Sequence, residues 1–181
     1  MSSTLAFADR SADVVLTPSR RVAAGSALLA VACVLGLVEA ALPGVPFAPW
    51  LRLGFANIAV VIALALFGVK MAAVVSVGRV GIVGLATGSL LGPTSVLAAA
   101  GALASLVAMW VLARHVPGTS PVGWSAAGSA AHVAAQFLAA SVLLGSGSLL
   151  VLVPPSMLVA LVLGALVGYL ALIAASRLRI G

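Results

Sequence analysis

From Val22 to Ala175 the sequence runs through successive apolar stretches, most close to the roughly 20 residues that cross a hydrocarbon core as helix, and none contains an aspartate. None shows the polar–apolar alternation of a barrel strand, so the runs call for a helical bundle. Hydrophobic residues make up 64% of the 181 and charged residues only 7%. The mean hydropathy is +1.32, and the apolar share lies well above the roughly 45–50% of soluble domains. An all-α integral membrane protein with six transmembrane helices follows, at about 22–42, 54–69, 71–91, 94–113, 122–144 and 154–176. The breaks are LPGVPFAPWLR, a tight turn at Gly68 to Lys70, GSLLGP, RHVPGTSP and GSGSLLVLVPP, each marked by Gly, Pro, Ser or a charge. The second run is short, which suits a helix that tilts little or is covered by its neighbours.

Residues 1–19 hold both aspartates, are too polar to insert and are expected to form a mobile tail ahead of a membrane domain at 20–181. The run after Val22 lacks a small-residue cleavage region, so the first helix is expected to stay attached. Basic residues set the orientation. With a cytoplasmic N-terminus, Arg10, Arg20, Arg21, Lys70, Arg114, Arg177 and Arg179 fall inside and only Arg52 falls outside. Both termini are then cytoplasmic, as an even number of spans requires. Trp110 and Trp124 come to the inner interface, and Trp50 to the longest outer loop. Topology accounts for the +6 net charge, so no nucleic-acid partner is called for. Cys33, the only cysteine, reads as a small packing residue.

Small residues four apart recur: Ala23 and Ala27; Ala32, Gly36 and Ala40; Gly84 and Gly88; Ala127, Ala131, Ala135 and Ala139; Ala160, Gly164 and Gly168. Such stripes let helices approach closely where lipid supplies no hydrophobic drive to associate. Packing within this one bundle explains most of them, and the first helix is the best candidate for contact with a partner subunit.

Few polar side chains interrupt the spans. An arginine at mid-helix costs about 2.5–3.5 kcal/mol on insertion scales, so such groups face a bundle interior or a cavity. Counting from Met71, Arg79 lies about 12 Å deep, near the midplane. His132 and Gln136 share one face of the fifth helix, about 15 and 21 Å from its inner end. Glu39 and Asn57 sit near the outer ends of the first two helices. The graded set outlines a pocket open to the outside. An internal Arg79–Glu39 salt bridge with interhelical hydrogen bonds from Asn57, His132 and Gln136 is the packing alternative. His115, beside Arg114 in an inner loop, reads as solvated.

Helices two, four and six begin at the outer face, where their positive dipole ends converge. GPTS and VPPS add proline near the first turn and hydroxyls able to cap or to contact a ligand. With Arg79 and Arg52, this favours an anionic or carboxylate-bearing solute. No catalytic signature is present: the spans lack the aspartates of a diphosphate–magnesium site, and no Gly-rich phosphate loop occurs. A lone histidine without a neighbouring nucleophile and carboxylate does not make an enzyme, and neither a cofactor nor a metal site is expected.

The stretches LVEAALPGVP, LRLGFANIAVVIALALFGVKMAAVVSVGRVGIVGLATGSLLGP and GSAAHVAAQFLAASVLLG resemble the Gx transporter family, often labelled heptaprenyl diphosphate synthase component I. That family is itself similar to the substrate-binding S components of energy-coupling factor transporters. The resemblance spans roughly residues 25–176 and is most specific at LGFANI, Arg79, His132 and Gln136. Val133 departs from it, standing where members commonly carry asparagine. The resemblance implies an S-component-like bundle with an outer pocket under the loop between helices one and two. It further implies docking onto a T component through Ala23 and Ala27, with ATPase subunits supplying energy. The family's label implies instead an accessory role in isoprenoid quinone side-chain synthesis. The combined expectation is a non-catalytic, multi-pass plasma-membrane subunit that captures a small solute through Arg79, His132, Gln136, Asn57 and Glu39, with Trp50 as a lid.

Overall fold

The structure, a computed structural model, describes residues 17–41 and 54–178. Trp50, Arg52, Arg10, Arg179 and the tail over 1–16 lie outside the described residues. Among these residues six α-helices follow in order: α1 Pro18–Ala41, α2 Asn57–Phe67, α3 Val69–Ala86, α4 Pro93–His115, α5 Pro121–Leu144 and α6 Val153–Leu178. Gly147–Leu152, inside the expected break before α6, forms a turn of 3-10 helix. Among the described residues there is no strand, and five helices are long and apolar enough to cross a membrane.

The sixth helix, α2, has 11 residues. At 1.5 Å per residue it reaches about 16 Å, roughly half a hydrocarbon core. Beyond Asn57 it is apolar on every side, and a helix of that kind is stable only when enclosed. Every residue from Ala59 to Leu66 is indeed buried, in a core shared with α1, α3 and α6. The short second run is therefore the centre of the bundle.

Close approaches to glycines fix the directions of the helices. On α1, Gly25 meets Met71, Gly78 of α3 meets Leu29, and Gly36 meets Val83, so α1 and α3 run parallel. Ala56, at the start of α2, also reaches Gly36, which makes α2 antiparallel to both. The reversal between α2 and α3 occurs at Gly68 alone, with φ 82° and ψ −178°. On the other side Gly101 meets His132 and Gly128 meets Met109, setting α4 against α5. Gly164 meets Ser129 and Gly168 meets Val122, setting α5 antiparallel to α6. A Cβ on Gly164 would lie 2.8 Å from the Ser125 carbonyl oxygen, so backbone touches backbone there. The expected stripes thus serve this bundle at Ala32, Gly36, Gly84, Ala160, Gly164 and Gly168, all buried, whereas Ala23 and Ala27 are exposed.

The end of α3 departs furthest from expectation. α3 ends at Ala86, not 91, and Gly88, expected on its packing face, turns the chain with φ 68°. The Thr87 hydroxyl donates to the Val83 carbonyl at 2.8 Å and closes the last turn. Ser95 then donates to the Ser89 carbonyl at 2.5 Å, fastening the connection to α4.

The molecule is apolar outside, with Val74, Val77, Leu103, Leu138, Leu158 and Leu166 among its exposed side chains. The buried polar side chains among the described residues are all serines. That is the inverse of a water-soluble surface and suits lipid, where small and hydroxyl residues mediate helix contact. Alternating directions gather Arg20, Arg21, Lys70, Arg114 and Arg177 at one end of the bundle, leaving Arg79 as the remaining described cation. We call that end inner. Trp110, half-exposed there, meets His115 edge to face at 5.9 Å. Trp124 instead turns inward, 5% exposed, its indole N–H donating to Thr119 at 2.8 Å.

Candidate functional site

The outer end of α1 and the entrance to α2 are joined by a carboxylate. Ala56, the residue preceding α2, has no side chain with which to accept the free N–H groups of the first turn. Glu39 reaches across from α1, and its Oε1 accepts the Phe55 N–H. The turn beneath is closed by Asn57 N–H to the Gly54 carbonyl at 2.9 Å and Ile58 N–H to the Phe55 carbonyl at 3.0 Å. The tie between helices one and two therefore runs through Glu39 and a backbone amide. Asn57, the first residue of α2, is half-buried beside it, and its side-chain amide makes no hydrogen bond among the described residues.

Arg79 enters the same junction from α3. Its stem passes Gly36, where a Cβ would lie 3.8 Å from the arginine Cγ, 3.1 Å from Val83 and 3.9 Å from Ala56. The absent side chain at Gly36 is what lets α1, α2 and α3 meet around it. Arg79 lies ten residues into α3, about 15 Å along the axis and closer to the midplane than counting from Met71 indicates. Cys33, one turn below Gly36, is buried and within electrostatic reach of it.

His132 and Gln136 form the other half of the set. The His132 ring lies against Gly101 of α4, where a Cβ would come within 2.7 Å of both Cε1 and Nε2. His132 is eleven residues into α5, about 16 Å along it; Gln136 follows one turn outward on the same face. The Gln136 amide, half-buried, makes no hydrogen bond among the described residues. Glu39, Arg79 and His132 are each engaged by at least one further interaction.

The residues thus form two groups: Glu39, Asn57 and Arg79 near Gly36, and His132 against Gly101 with Gln136 one turn further outward on α5. The helices carrying Arg79 and His132 are not packed extensively against each other; α4 packs against both. Trp50, the expected lid, lies outside the described residues. The hydroxyls expected at the outer helix starts turn to the backbone at Ser95, as described above. Sequence reasoning missed Gly101, Phe55 and the buried hydroxyls of Ser105 and Ser125, which make no hydrogen bond among the described residues. Among those residues no three His, Cys, Asp or Glu side chains gather as a metal site would need.

Fold and side chains together define a multi-pass α-helical membrane protein with polar groups held inside the bundle. The chain belongs to the family described as heptaprenyl diphosphate synthase component I, whose model matches residues 28–173. That range takes in Glu39, Asn57, Arg79, His132 and Gln136 and leaves Ala23 and Ala27 outside. No curated protein and no solved structure matches the chain.

Proposed function

We propose that this protein is the membrane-embedded binding subunit of an uptake system for a small, anionic solute, S-component-like in architecture and sited in the cell membrane. In this reading Arg79 fixes the anionic group, His132 and Gln136 hydrogen-bond the ligand, and Asn57 and Glu39 shape the outer mouth under a lid that includes Trp50. The supporting observation is the placement of Arg79 and His132 about half-way along separate helices, with the Asn57 and Gln136 amides making no hydrogen bond among the described residues. Ionisable groups at that depth mark ligand or ion sites more often than packing. The subunit is non-catalytic, and partner ATPase and T subunits energise transport, with exposed Ala23 and Ala27 as the docking stripe.

The family description favours a second reading, a non-catalytic membrane accessory of heptaprenyl diphosphate synthesis. The two separate on co-purification: ATPase and T subunits support uptake, while a soluble prenyl synthase supports the accessory role. Mass spectrometry of small molecules carried through purification in mild detergent tests the pocket itself. An anionic solute is expected in the wild type and is lost in Arg79→Ala and His132→Ala. Retention of that solute, with uptake unchanged, in folded Arg79→Ala overturns the pocket.

A further inference from the structure

The inner end of the bundle carries an open concavity of about 350 Å³ lined by Arg21, Val22, Phe67, Val69, Lys70 and Met71. It lies where the start of α1 meets the single-residue turn between α2 and α3, far from Arg79 and His132. Its lining divides into two exposed cations and four apolar side chains, with no acid among the described residues that form it. Three of those residues, Val69, Lys70 and Met71, also open α3, and Gly68 before them offers no side-chain cap.

We propose that this cleft seats one anionic phospholipid of the cytoplasmic leaflet. Arg21 and Lys70 hold its phosphate, and an acyl chain lies along Val22, Phe67 and Met71. Charge and depth carry the argument. All the described basic side chains except Arg79 mark this end as the inner interface, where headgroup phosphates lie, and basic pockets between helices at that level bind anionic headgroups. A zwitterionic lipid brings its own cation to the cleft and gains less. The apolar residues beside the cations are what a free phosphate would leave unused. At 100° per residue, Arg21, Val22 and Gly25 face α3 whereas Ala23 and Ala27 point away, so lipid and a docked partner occupy different faces of α1.

The test uses the full chain in detergent micelles, titrated with phosphatidylglycerol or phosphatidylcholine and read by native mass spectrometry. The wild type is expected to retain one phosphatidylglycerol selectively. The double substitution Arg21→Gln with Lys70→Gln is expected to weaken that binding by roughly 30-fold, and each single substitution by about 5-fold, since each basic residue near the surface contributes a comparable share. The double substitution Arg114→Gln with Arg177→Gln removes the same charge outside the cleft and is expected to keep the bound lipid. Both altered side chains in the cleft are exposed, and circular dichroism checks the fold; the single variants decide the matter if the double variant does not fold. Equal retention of the two lipids, unchanged binding in the cleft variants, or equal loss in Arg114→Gln with Arg177→Gln overturns the proposal. So does inorganic phosphate binding the cleft as tightly as the lipid, which would make it a site for the free ion.

Discussion

A carboxylate in a lipid-embedded bundle persists only where donors meet its charge. Glu39 is the one acid among the described residues, and it meets the Phe55 N–H. Glu39→Ala strands that donor and is expected to lower stability by about 1–3 kcal/mol. Glu39→Gln keeps an acceptor oxygen and should restore most of it. Thermal unfolding in detergent reads the difference, and equal melting of the two variants would show that the capping bond contributes nothing. His132 is governed by its neighbour in a similar way. Because a Cβ at position 101 would sit 2.7 Å from the imidazole, Gly101→Ala must move the ring while leaving every candidate ligand contact chemically intact. A displacement near 1 Å in a binding site reduces function by up to about 100-fold, so uptake or ligand retention should fall in Gly101→Ala at normal expression. Unimpaired uptake would mean that the position of His132 is immaterial. Much of the candidate set was legible because polar residues in apolar runs stand out. The partners were not. Gly101 precedes His132 by 31 positions and Phe55 follows Glu39 by 16, pairings that only tertiary structure creates, and a backbone N–H has no sequence signal at all.

At the scale of elements, the turn between α2 and α3 asks most of a single residue. Gly68 adopts φ 82° and ψ −178°, a region open essentially to glycine alone. It reverses the chain in one half-buried residue between two helices at the inner end of the bundle, so strain there cannot relax into a loop. Gly68→Ala is expected to destabilise the protein by about 1–3 kcal/mol. Gly81→Ala, on the same hairpin with open space around its Cβ position, should be neutral or slightly stabilising, since alanine favours helix. Denaturation of the two variants side by side checks this; a Gly68→Ala protein that melts with the wild type would show that the turn tolerates a side chain. All six helices were legible from apolar run length, and even the brevity of α2 pointed to its enclosure. The end of α3 was not. Leu90 and Leu91 resume the apolar run after Thr87, Gly88 and Ser89 and extend it by pattern, but Gly84 lacks the side chain that would keep Leu90 away: a Cβ there would lie 3.3 Å from the Leu90 Cα. The chain folds back over that gap, and Ser95 holds it.

For the whole molecule, orientation decides what each end can do. Arg20, Arg21, Lys70, Arg114 and Arg177 collect at one end of the bundle, and among the described residues no cation lies at the other. By the positive-inside rule, a bias this one-sided predicts that the basic end faces the cytoplasm. Pro18 and Leu178 then both lie at the inner face, while Thr87 and the 3-10 turn around Ser148 lie outside. Cysteine labelling tests the arrangement, since the native Cys33 is buried and can be replaced by alanine to give a clean background. Thr87 and Ser148, both exposed, should react as Thr87→Cys and Ser148→Cys with a membrane-impermeant maleimide on intact cells. His115→Cys and Ser176→Cys should react only after permeabilisation. The opposite pattern would carry the mouth shaped by Glu39 and Asn57 to the cytoplasm and the Arg21–Lys70 cleft to the outer leaflet. Uptake from outside would then fail as a reading even if Arg79 and His132 still held a ligand. Labelling of Thr87→Cys and Ser148→Cys from opposite sides would be a different failure: it would mean that α4 and α5 do not together cross and return, and the bundle itself would need redrawing.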